Sequence, residues 1–306
     1  MVSAAKSGRQ VKGRHGQLVL LVAVLTCLWL GACTRQPTDP DLRNGPVVTP
    51  SGAVIQRDLE YGPTSDQRLD VYAPSGARAA PILVMVHGGG WSRGDKASAG
   101  VVKKKVAHYL PAGYLVVSTN YRLSPAVDPL TEAQDVATAM AFVQTHAADW
   151  GGDPSRIVLM GHSAGAHLVS LVTADPSYRD RAGATLWLGT VALDSAAYDV
   201  PQIMAMDPHL ALYDDAFGHD VELQRAASPT LVTSGTPAPV LLVCGSNRVE
   251  ACQQAEDFAA AVRSHGSTAT VLPMDLSHGD INSQVGLPGE LTTQVDRFLQ
   301  SLGLPT

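Results

Sequence analysis

The stretch from Arg156 to Val172 constrains this chain more than any other. An apolar run, Arg156-Ile157-Val158-Leu159-Met160, leads into Gly161-His162-Ser163-Ala164-Gly165. A second apolar run, His167-Leu168-Val169-Ser170-Leu171-Val172, follows. That order reads as a strand, a sharp turn and a helix, with a serine at the apex. The serine of such a turn has a strained backbone, and the glycines around it avoid collisions with neighbouring side chains. The hydroxyl then stands clear of the sheet at the N-terminus of the helix. The pentapeptide alone is a weak signal, because Gly, Ser and Ala are common. Its meaning depends on what the rest of the chain supplies.

The flanking sequence alternates strands and helices. Ile55 to Tyr61 and Leu69 to Tyr72 read as early strands, and Pro81 to Val86 as a buried central one. A helix is expected from Ala97 to Leu110, a strand from Tyr114 to Ser118, and a long helix from Ala133 to Trp150. After the serine come strands over Leu186–Leu193, Val240–Val243 and Thr268–Leu272, and helices over Ala251–Ser264 and Glu290–Leu302. Buried strands alternating with helices imply an α/β fold, with a mostly parallel central sheet and helices on both faces. Working residues in such sheets sit on loops at the strand C-termini. Residues 198–239 break the alternation, with Pro201, Pro208, Pro229 and Pro237. Short helices that partly cover a site are expected there.

The first residues have another character. Lys6, Arg9, Lys12 and Arg14 precede an apolar stretch, Leu18 to Leu30, which ends in Leu30-Gly31-Ala32-Cys33. A basic segment followed by a short apolar one reads as a signal peptide over residues 1–32. Its end resembles a bacterial lipobox, which implies lipid on Cys33, a tether over residues 33–51 and a folded domain over 52–306. An ordinary signal peptide cleaved nearby, or an uncleaved anchor, is the alternative. The expected location is the cell envelope, anchored to a bacterial membrane and facing the periplasm or the exterior. The removed segment carries four bases and no acid, so the formal charge of −6 would become −10. Nothing in an acidic chain of this kind points to nucleic acid, and any membrane attachment would come from acyl chains. Cys27 would leave with the signal peptide, so Cys244 and Cys252 remain in an oxidising compartment. A disulfide between them is expected, with two separate buried thiols as the alternative.

His87-Gly88-Gly89-Gly90-Trp91 directly follows the central strand. Cleavage of an acyl bond creates a negative oxygen, which needs backbone N–H donors at short range. A glycine run lets the backbone approach that oxygen. The N–H of Ala164, next to the serine, is the second expected source of a donor. His87 reads as a residue that shapes this loop by hydrogen bonding.

With "HGGGW", "NYRLSP" (Asn120 to Pro125), "DWGGDPSRIVLMGHSAGAHL" (Asp149 to Leu168) and a late histidine in this order, the chain resembles the esterase/lipase branch of the α/β hydrolases. It is most similar to carboxylesterase and feruloyl-esterase-like members, which grade into kynurenine formamidases. The resemblance covers roughly residues 52–303. It implies the α/β-hydrolase fold, Ser163 as nucleophile, and an oxyanion hole from Gly89, Gly90 and Ala164. It implies His278, after the last strand, as the general base. The third member should be an acid on the loop after Leu241-Leu242-Val243-Cys244. Most relatives carry Asp two or three residues past the glycine that corresponds to Gly245, where this chain has Asn247 and Arg248. The first acid on that loop is Glu250, which is assigned the role, with a Cys244–Cys252 disulfide bracketing the loop. Asp194 and Asp199, after an earlier strand, are remote candidates and read as structural. Tyr121, Arg122, Asp135 and Asp153 are also read as structural.

These residues point to hydrolysis of a small-molecule carboxylic ester through an acyl-enzyme, with no cofactor and no metal. Two other readings stay open. One is an arylformamidase opening N-formylkynurenine. The other is a catalytically silent hydrolase fold used as an envelope binding protein, favoured only by the missing aspartate.

Overall fold

A computed structural model describes Val47–Val48 and residues 53–306. The expected signal peptide, Cys33 and most of the tether therefore lie outside the described residues. Two residues of the segment read as tether, β1 (Val47–Val48), pair with β2 (Val54–Glu60), so strand pairing begins before residue 52.

The sheet has nine strands in the order β1-β2-β3-β5-β4-β6-β7-β8-β9. The other strands are β3 (Arg68–Ala73), β4 (Ala80–Val86), β5 (Leu115–Thr119), β6 (Gly152–His162), β7 (Gly189–Leu193), β8 (Val240–Gly245) and β9 (Ala269–Met274). β2 runs antiparallel to both β1 and β3, and β3 runs antiparallel to β5. From β5 to β9 every pairing is parallel. Parallel strands need helices on both faces, and the sequence supplies apolar side chains for both. In β4, Ile82, Val84 and Val86 join the core on one face while Leu83 and Met85 join the other.

Helices α1 (Ala99–Tyr109), α10 (His278–Gln284) and α11 (Glu290–Ser301) contribute to the core shared by Leu83 and Met85. Helices α2 (Pro129–His146), α3 (Ala164–Ala174) and α9 (Val249–Ser264) contribute to the opposite one. Local chemistry sets several helix starts. Asp128 caps α2 by accepting from the Thr131 N–H at 2.7 Å, and Pro129 fits the first turn, where no N–H is needed. That places the start of α2 at Pro129, four residues before the expected Ala133. Asp175 and Pro176 begin α4 (Pro176–Ala182) in the same way.

Residues 198–239 hold four short helices, as expected: α5 (Val200–Met204), α6 (Ala211–Phe217), α7 (Val221–Ala226) and α8 (Pro229–Val232). His167 on α3 ties this segment to the body. Trp91 Nε1 donates to His167 Nδ1 at 3.1 Å, and His167 Nε2 donates to the Ala227 carbonyl at 2.7 Å. Both contacts require a neutral ring with its proton on Nε2. Trp91 also packs edge-on against Phe217, with ring centroids 4.8 Å apart.

Burial pushes His167 down to about 4 from an ordinary 6.5. The unfolded chain therefore binds this proton first. The stability tied to the neutral ring is complete above pH 6.5 and is lost as pH falls toward 4. Urea unfolding at pH 7 and pH 5 should show a loss of about 2 kcal/mol from this residue. The His167→Gln variant, which keeps a donor to Ala227 and cannot titrate, should lack that part of the pH dependence. An equal slope in both proteins would contradict the assignment.

Candidate active site

The parallel strands bring their C-terminal ends to one edge, and the chemistry gathers there. β6 ends at His162, and Ser163 follows with φ 57° and ψ −120° before α3 begins at Ala164. A non-glycine residue with positive φ is strained, and here the packing on either side enforces it. A side chain at Gly161 would strike the carbonyl of Gly165, and one at Gly165 would strike the carbonyls of Val86 and His87. The Ser163 N–H is held by the Leu193 carbonyl at 2.9 Å.

The β4–α1 loop lies against this turn. His87 is buried, and its Nδ1 donates to the Gly88 carbonyl at 3.0 Å. Its ring stacks on Tyr121 at 4.5 Å, and the Tyr121 hydroxyl donates to the His87 carbonyl at 3.0 Å. His87 is thus a structural residue of the loop, as expected. Gly89, Gly90 and Trp91 then follow with φ values of 136°, 60° and 59°. Arg122 makes a two-pronged ion pair with Asp135, through Nε at 2.8 Å and Nη2 at 2.7 Å. These two residues fix the loop after β5.

His278 is the first residue of α10, a helix the sequence did not suggest, capped by Ser277. Its Nε2 lies 3.0 Å from Ser163 Oγ. Behind it, Nδ1 lies 2.6 Å from Asp194 Oδ2. His162 supports the base from below: its ring sits 4.6 Å from the His278 ring, and its Nε2 donates to the His278 carbonyl at 2.9 Å. Burial, and then the neighbouring His278, push His162 down to about 3, so its ring is neutral.

The acid beside His278 is therefore Asp194, and Glu250 is not in contact with the ring. Glu250 lies in the first turn of α9 with its side chain 41% exposed, and its nearest cation is Arg248, at 3.8 Å. The extra methylene of Glu250 does not compensate for its place on the outward side of that turn. Asp194 is the residue immediately after β7, with φ 56° and a side chain that is fully buried. β7 pairs directly with both β6 and β8, so its end faces the serine loop and the β8 loop together. The sequence signal for Asp194 was an acid terminating the apolar run Thr190-Val191-Ala192-Leu193.

Burial alone would raise the Asp194 carboxyl. Hydrogen bonds from His278 and from the Gly245 N–H at 2.9 Å, together with the Arg248 guanidinium, outweigh it and hold the group below the usual carboxylate range. Asp194 is thus a carboxylate at neutral pH. It can accept the Nδ1–H of His278, which leaves Nε2 free to take the serine proton. Asp199 plays another part, capping α5 by accepting from the Gln202 N–H at 3.1 Å. Cys244 and Cys252 are joined as a disulfide across the β8–α9 loop.

Residues 69–261 match the model of the family described as BD-FAE. Esterase LipQ of Mycobacterium tuberculosis is 31% identical over 236 residues, which covers 70% of this chain and 54% of that protein. Carboxylesterase NlhH of the same species is 35% identical over 132 residues, covering 43% of this chain and 41% of that protein. The chain spans about half the length of these curated relatives. Among solved structures, Thermogutta terrifontis esterase 2 phosphonylated by sarin superposes with a TM-score of 0.69 at 19% identity, covering 85% of this chain and 98% of that one. Such a likeness establishes the α/β-hydrolase fold. The match over most of the folded region shows that the chain belongs to the BD-FAE family.

Proposed function

We propose that this protein hydrolyses carboxylic esters of small molecules through an acyl-enzyme intermediate. The observation that carries the reading is the continuous hydrogen-bonded series from Ser163 Oγ through the His278 ring to Asp194. His278 Nε2 takes the serine proton as Oγ attacks the acyl carbon, then delivers it to the leaving alcohol. Asp194 fixes the imidazole tautomer and stabilises its cationic form. The N–H groups of Gly89, Gly90 and Ala164 hold the oxyanion. Water deprotonated by His278 then releases the acid. Relatives that carry the names esterase and carboxylesterase support an ester over an amide. The silent-fold reading loses its one argument, because a buried carboxylate stands where the triad needs it.

Export as a lipoprotein is part of the same proposal. It rests on the basic segment, the apolar stretch and the Leu30-Gly31-Ala32-Cys33 sequence. In a bacterial host, the protein should partition with membranes and the Cys33→Ser variant should not. Equal partitioning of the two would overturn the anchor.

The catalytic assignment predicts that Ser163→Ala keeps the fold and loses turnover of p-nitrophenyl butyrate by a factor on the order of 10⁴ or more. Near-native turnover would refute it. Asp194→Asn should lower kcat by about 10³–10⁴, because the amide can stabilise the wrong imidazole tautomer. Glu250→Gln should change kcat by less than about twofold, as expected of an exposed carboxylate outside the triad. The opposite ranking of these two variants would restore Glu250 as the acid.

A further inference from the structure

Arg248 occupies one of the two loop positions where an acid was expected, and it touches the acid that does the work. Its Nη1 lies 2.5 Å from Asp194 Oδ2 and 2.9 Å from His278 Nδ1. A guanidinium nitrogen only donates, and Nδ1 must carry a proton for Nε2 to accept from Ser163. The 2.9 Å approach is therefore not a hydrogen bond. It is the result of two donors sharing one acceptor, Oδ2. The other oxygen, Oδ1, takes the Gly245 N–H. We propose that Arg248 is a positioning residue, which locks the Asp194 carboxylate in the plane that meets His278.

Three features support this. Asp194 is fully buried with Arg248 in place, so losing the guanidinium would leave Oδ2 one donor short. Without Arg248 only the Gly245 N–H on Oδ1 would hold the carboxyl group independently of the His278 ring it must orient, and its terminal torsion is broad and soft. Two donors on one oxygen and a third on the other remove that freedom. Arg248 is itself fixed. Its N–H is bound to the Gly245 carbonyl at 2.8 Å, and its own carbonyl accepts from Ala251 and Cys252 at 3.0 and 3.2 Å. The Cys244–Cys252 bond closes the loop around it, joining the end of β8 to the first turn of α9. The disulfide thus acts on the site through Arg248.

The arrangement has a cost. A permanent cation beside the ring opposes the imidazolium that forms during acyl transfer, so Arg248 helps by orienting Asp194 and keeping it ionised, and not by its charge toward the ring. The full surroundings of the ring bear on this. Asp194 faces it from β7, Arg248 from the β8 loop and His162 from the elbow. On its own helix stands Asp280, bound to Ser277 at 2.6 Å. Buried Lys105 reaches α10 from α1, donating to the Asn282 carbonyl at 2.8 Å.

This inference rests on the proposed triad, and its test separates the two. With p-nitrophenyl butyrate, Arg248→Met should lower kcat about tenfold to a hundredfold, the scale of a misaligned catalytic group, with KM within about twofold. Arg248→Lys, which restores a donor to Oδ2, should recover part of that loss. Converting both cysteines to alanine should lower kcat in the Arg248 protein and have no further effect on kcat in the Arg248→Met background. Wild-type kcat in Arg248→Met would overturn the proposal, as would a lysine variant no better than the methionine one. So would equal effects of cysteine removal in the two backgrounds. If Arg248→Met does not fold, the lysine and cysteine variants decide alone, and wild-type kcat in both overturns the proposal. If Asp194→Asn also keeps wild-type kcat, the triad reading is what has failed.

Discussion

The turn at Ser163 is the constraint on which the rest depends. It forces a strained residue between β6 and α3, and it is enforced by close backbone contact with the β4 end at Val86 and His87. That one contact sets the serine, the start of α3 and the glycine loop in a single rigid unit. The N–H groups proposed to hold the oxyanion and the proposed nucleophile are therefore set by one unit. No side chain could be added at Gly165 without separating them.

Around this unit the parallel register does the remaining assembly. β6, β7, β8 and β9 are adjacent in the sheet, so their C-terminal loops converge although Ser163, Asp194 and His278 are far apart in sequence. The acid comes from β7, next to the serine strand, while β8 contributes Gly245 and Arg248, which fix that acid from the far side. The chemistry is thus shared by four consecutive strands. The short helices over residues 198–239 are tied down by His167 and Trp91, both buried.

Much of this was legible in the sequence because it rests on local patterns. Apolar runs marked the strands from β2 onward, and the glycine motifs marked the elbow and the loop after β4. His278 could be placed because it follows the last strand. Glu250 lies away from the His278 ring because distance along a loop is not distance in space. Glu250 is near in sequence to the family position but turns outward on α9. Asp194 lies one strand earlier and reaches the ring because β7 is β8's neighbour. Sheet order, which decides this, leaves no mark on a single sequence. α10 went unseen for another reason: it is short and polar, held by the Ser277 cap and by His162 and Lys105, with no periodic apolar face of its own.

On the proposed reading, Ser163 is an activated nucleophile. Its most direct test is peptide mass spectrometry after exposure to a fluorophosphonate, with the wild-type protein and Asp194→Asn side by side. A single phosphonate adduct is expected on the Ser163 peptide of the wild type, forming far more slowly in the Asp194 variant. An unmodified Ser163, or labelling at equal rates in both proteins, would contradict it.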